Sequence, residues 1–67
     1  MEFPNAVPYS FSWYDESESQ RGCSGYMLLQ KVIEGVAFYE AECLYRGRQT
    51  KVVAQYRYEG DTLVRAD

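Results

Sequence analysis

Two cysteines, Cys23 and Cys43, and a complete lack of histidine bound the chemistry open to this chain. Histidine is the commonest general base and the commonest zinc nitrogen ligand, so triads built on it are excluded within one copy. Two thiolates leave a tetrahedral zinc site two ligands short. No metal or cofactor is expected. Cys23, in "RGCSG", stands near Arg21, whose charge favours a thiolate, but no base accompanies it as a nucleophile would need. It reads as a loop cysteine without a role, and Cys43 as a small core hydrophobe.

The carboxylates are no better equipped. Asp15, Glu16 and Glu18 in "DESES" resemble a loose cation site but lack the glycine and the distal bidentate glutamate of a calcium loop. They read as a solvated loop. Glu40 and Glu42 share one face of a strand, yet that face is expected to meet solvent, where nothing tunes a carboxyl pair for acid/base work. No glycine-rich phosphate loop is present. The chain is not expected to be an enzyme.

One stretch carries a binding signature. "YRGRQTKVVAQYRY", Tyr45 to Tyr58, holds four of the seven basic side chains among its tyrosines. Small nucleic-acid modules stack bases on sheet aromatics and track phosphates with Lys and Arg. Against that stands a net charge of −3, a repulsive contribution toward phosphate.

The elements that position these residues follow from periodicity. At 67 residues the chain is one domain, and at that size folding buries only about 60% of the unfolded surface. Seven Tyr, three Phe and Trp13 compensate, since each aromatic buries roughly 150–250 Å². "YSFSWY" alternates as a strand, with Tyr9, Phe11 and Trp13 on one side. Asp15 to Gly25 is polar, contains glycine and lacks periodicity, which predicts a loop at 15–25. Residues 26–44 have helical spacing, but Gly35 and the accumulated Val, Ile, Phe and Tyr oppose a helix.

Pairing favours strands. With "RGRQ" as a four-residue loop, Tyr45 faces Thr50, Cys43 faces Val52, Ala41 faces Ala54 and Tyr39 faces Tyr56, all on one apolar side. Leu44, Glu42, Glu40 and Phe38 then share the other side with Lys51, Val53, Gln55 and Arg57. A one-residue slip would mix the two sets. A two-residue turn at Glu34-Gly35 places Tyr26, Leu28, Gln30 and Val32 on the apolar side and Met27, Leu29 and Ile33 on the mixed one. "EGD" makes another turn, and "TLVRA" a short last strand. The expected fold is all-β, a small antiparallel meander of four or five strands. The alternative is α+β, with a helix at about 26–44 on a three-stranded antiparallel sheet.

This sorting sends the tyrosines of the basic stretch inward and its cations outward, which weakens the nucleic-acid reading. The expected function is a small interaction module that binds, and inhibits or regulates, a larger protein, with a homodimer as another use of the same face. Phe38, Leu44, Val53, Arg46, Arg48 and Arg57 are the expected contacts, being apolar and arginine side chains on an outer surface. In size and composition the chain is similar to small inhibitors made by phages and mobile elements. The alternative is nucleic-acid binding through the basic residues of the 45–58 hairpin. No apolar run approaches the ~20 residues of a membrane span, and the first ten residues lack the features of a secretion signal. A cytoplasmic location without membrane contact and with reduced thiols is expected.

Overall fold

A computed structural model describes residues 2–67. Five strands form one antiparallel sheet in chain order: β1 (Ala6–Tyr14), β2 (Gln20–Ile33), β3 (Val36–Tyr45), β4 (Arg48–Glu59) and β5 (Thr62–Arg65). The all-β meander expected from the pairing is the fold. Residues 26–44 form two strands and the turn between them rather than a helix.

Two of the turns share one device. Glu34-Gly35 and Arg46-Gly47 each join strands through two residues with positive φ, 49° and 79° in the first, 52° and 76° in the second. That is the type I′ geometry, whose twist matches that of the flanking strands. Arg46-Gly47 replaces the four-residue loop expected at "RGRQ": Tyr45 pairs with Arg48, Cys43 with Thr50, Ala41 with Val52 and Tyr39 with Ala54. The register is shifted by two from the expected one. Because side chains alternate with period two, an even shift leaves every residue on its assigned face.

On β2 the faces are reversed. The ladder leaves the Glu34-Gly35 turn as Ile33–Val36, Val32–Ala37 and Lys31–Phe38, then resumes as Leu29–Tyr39 and Leu28–Glu40, with a bulge between Leu29 and Lys31. The extra residue exchanges inside and outside beyond it. Met27 is therefore buried and Leu29 half-buried, while Tyr26 and Leu28 face outward, 68% and 56% exposed. The expectation that placed Tyr26 and Leu28 inside was wrong by that one residue.

The polar loop expected at 15–25 is also corrected. Only 15–19 turns, and Gln20 to Gly25 continue as β2 against β1, from Tyr14–Gln20 to Tyr9–Gly25. Asp15 closes the turn. Its Oδ1 accepts the amides of Ser17 and Ser19, both at 3.0 Å, and the Ser17 hydroxyl at 2.7 Å, while Oδ2 accepts Arg21 Nε at 2.9 Å. Composition signalled a loop because serine, glycine and acids are poor strand formers; pairing with the aromatic β1 overrides it.

A single sheet supplies its own core by curling. Val7, Met27, Ala37, Tyr39 and Ala54 form the buried cluster, with Leu29, Ala41, Val52, Tyr56 and Leu63 around it. Residues 2–5 lie across this inner face. The Tyr39 hydroxyl donates to the Pro4 carbonyl and the Tyr58 hydroxyl to that of Glu2, both at 2.7 Å, and Phe3 packs on Tyr58 with ring centres 5.0 Å apart. Toward the other end the β2–β3 ladder stops at Leu28–Glu40, so the β1–β2 and β3–β4 ribbons run on as two arms. Trp13 and Phe11 of one arm meet Tyr45 of the other at 4.7 and 6.2 Å. The molecule is elongated, 45 × 19 × 17 Å.

The Arg46-Gly47 turn gives the first test. No atom lies within 4 Å of where a Gly47 Cβ would stand, so replacement acts through backbone conformation alone. Gly47→Ala is expected to lower stability by about 1–2 kcal/mol, measured by urea unfolding, with the far-UV spectrum unchanged.

Candidate partner-binding face

Alternation along the strands builds the outer face in rows. Leu28 of β2, Glu40 of β3 and Val53 of β4 make one row; the next, toward the β2–β3 turn, pairs Phe38 with Gln55. Val53 is 59% exposed, Leu28 nearly as much, and Phe38 is half-buried. These three side chains form an apolar patch around Glu40, which Lys51 meets at 3.5 Å. A shallow hollow of about 420 Å³ lies beside it, lined by Phe38, Val53, Lys31 and Gln55 among others.

The expected contact residues do not all converge here. Phe38 and Val53 come together. Leu44, 62% exposed, lies four residues along β3 from Glu40, roughly 14 Å at ~3.4 Å per residue. It lines a different, open cleft of about 1020 Å³ between the ends of the two arms, with Trp13, Tyr14, Asp15, Arg21 and Arg46. Arg46 caps the Tyr45 ring at 5.3 Å, and Arg48 begins β4 in an exposed position. Arg57 does not lie over Phe38. It holds Glu59 at 2.7 Å, and the cation over the Phe38 ring is Lys31, at 5.2 Å. Sequence reasoning missed Leu28 and Tyr26 as outer-face residues because the bulge that turns them outward has no signal in the hydrophobic pattern.

Most of the positive charge is already engaged. Arg21 pairs with Asp15, Lys51 with Glu40, Arg57 with Glu59 and Arg65 with Asp67. These are four of the seven cations. Lys31 and Arg46 lie over rings, which leaves Arg48 alone without either partner among the described residues. Tyr39 and Tyr56 of the basic stretch and its neighbour strand meet edge to face on the inner side, with ring centres 5.5 Å apart.

Cys23 is placed on a strand rather than in a loop. Half-buried on β2, it has the Tyr9 phenol 3.6 Å from its sulfur. Cys43 is buried on β3. Burial, reinforced by the Cys23 thiol beside it, pushes the Cys43 pKa up to about 11. That removes the thiolate on which cysteine nucleophilicity depends. No three His, Cys, Asp or Glu side chains gather as a metal site among the described residues, and no helix is long and apolar enough to cross a membrane.

No family model matches the chain, and neither the curated proteins nor the solved structures compared with it give a match.

Two titrations check these environments. With a disulfide thiol reagent near neutral pH, the folded protein is expected to react first at Cys23, while Cys43 stays silent until the chain is unfolded or the pH approaches 11; equal rates at both sites would contradict the burial of Cys43. Hydrogen bonds from Ser17, Arg21 and Ser19 hold the Asp15 carboxyl well below its ordinary value of 3.8. A depressed carboxylate contributes stability that is present above the unfolded pKa and lost as pH falls through the folded one. Asp15→Asn is therefore expected to be less stable than wild type at pH 7, the difference narrowing progressively below about pH 4 in acid unfolding curves.

Proposed function

We propose that this chain is a small non-enzymatic interaction module whose outer sheet face binds, and thereby inhibits or regulates, a larger protein. The reading rests on one observation: Leu28 and Val53 stand more than half exposed on either side of Glu40, with Phe38 and Tyr26 on the same face. Exposed apolar side chains gathered on one face mark interaction surfaces. Lys31, Lys51 and Arg57 alternate there with Glu40, Glu42 and Glu59. Such a mixed rim supplies specificity and orientation around an apolar centre. A cytoplasmic setting suits the two free thiols.

The same molecule supports the nucleic-acid alternative less well. Of the four cations in its hairpin, Lys51 and Arg57 are held in ion pairs and Arg46 lies over the Tyr45 ring, and its tyrosines lie on the inner side. Two measurements separate the readings. In affinity capture from lysate of the native host, Leu28→Asp with Val53→Asp is expected to lose the protein that wild type retains, while keeping the wild-type far-UV spectrum. Retention of the same protein by the double variant would refute the assignment of this face. Steeply salt-dependent binding of wild type to oligonucleotides would support the alternative instead.

A further inference from the structure

The sheet edge at β1 is an open hydrogen-bonding row. The Leu29 amide donates to the Asn5 carbonyl at 2.9 Å and the Asp15 amide to the Ser19 carbonyl at 3.1 Å. Odd-numbered positions of β1 therefore turn their main-chain groups toward β2. In an antiparallel ladder these groups alternate in direction along the strand, so Ala6, Pro8, Ser10, Ser12 and Tyr14 turn theirs away from the sheet. Pro8 agrees with that parity, since proline is tolerated on an edge strand where its missing N–H would face solvent. Beyond it, from Ser10 to Tyr14, no other main-chain group bonds to this outward row among the described residues.

The composition of β1 fits the same edge. "AVPYSFSWY" is the one strand without a charged side chain, whereas the opposite edge, β5, is four residues long and carries Arg65. Long uncharged edges template further strands, which is why most proteins interrupt them with charge.

We infer that β1 pairs with β1 of a second copy, antiparallel about a two-fold axis at Ser12, joining the two sheets edge to edge. A two-fold axis brings identical strands together antiparallel. Centred on Ser12, the register sets Ser12 opposite its own copy and Ser10 opposite Tyr14, each pair exchanging two N–H···O bonds. Phe11 then faces Trp13 at the positions without hydrogen bonds, where side chains approach closest and aromatic pairs stabilise a sheet. Centring on Ser10 instead would set Pro8 opposite Ser12 and lose a donor. With no charge on β1, no like charges meet across the axis. This edge is separate from the face proposed to bind a larger protein, so either assignment stands without the other.

Sedimentation velocity and amide hydrogen exchange of the full chain, from low micromolar to millimolar concentration, test the inference. Wild type is expected to convert from monomer to dimer, with the Ser10, Ser12 and Tyr14 amides becoming protected as it does. Ser12→Pro removes one outward donor just as Pro8 does, and is expected to remain monomeric with an unchanged far-UV spectrum. Ser12→Lys keeps the donor but sets like charges opposite each other, and is expected to be monomeric too; it serves if the proline variant does not fold. Leu28→Asp with Val53→Asp is expected to dimerise as wild type does. A wild type that stays monomeric at every concentration would overturn the inference, as would a dimer that forms without protecting those amides or that survives Ser12→Lys.

Discussion

The bulge between Leu29 and Lys31 is the constraint on which the inner and outer faces both depend. Without it, the register that leaves the Glu34-Gly35 turn would run unbroken along β2 and send Gln30, Leu28 and Tyr26 into the core. One extra residue turns Leu29 and Met27 inward instead, opposite and beside Tyr39. Met27 is 2% exposed and Tyr39 1%, so the core closes around the contact that the bulge permits. The same displacement sends Leu28 outward to flank Glu40 and creates the apolar surface on the other side of the sheet.

A one-layer sheet has a second problem, because its inner face needs a lid. Here the lid is main chain rather than a helix or another sheet. Two tyrosine hydroxyls, from β3 and β4, fix residues 2–5 by their carbonyls, which satisfies phenols that would otherwise be costly to bury. At the opposite end, beyond the last β2–β3 pair, Phe11, Trp13 and Tyr45 fill the space between the arms with aromatic rings. The aromatic content anticipated as a substitute for chain length is used at both ends.

How much of this the sequence revealed depended on whether an error was even or odd. For β3 and β4 the expected loop was two residues too long, yet Cys43, Ala41 and Tyr39 were assigned inward and Glu40, Glu42 and Leu44 outward as they are. Period-two patterning identifies a face and is blind to slips of two. For β2 a single bulged residue reversed the assignment, and no residue type announces it. The loop expected at 15–25 failed for another reason, since Ser24 and Gly25 form strand only because β1 lies beside them. The candidate site inherited both limits: Phe38 and Val53 were legible as members of one face, whereas Leu28 was hidden by the bulge and Arg57 was carried past Phe38 by the two-residue shift that sets Gln55 opposite it.

The meander order carries a consequence for how the chain reaches this state. Every strand pairs only with its neighbours in sequence, so loop closure for each hairpin spans few residues and is entropically cheap. The lid is different: its hydrogen bonds to Tyr39 and Tyr58 join residues 35 and 56 apart in the chain. Such contacts form only once the strands that present both tyrosines exist. Folding is thus expected to zip locally through the hairpins and end with residues 2–5 settling onto a sheet already made, which makes that segment the natural first element to open when the native state fluctuates.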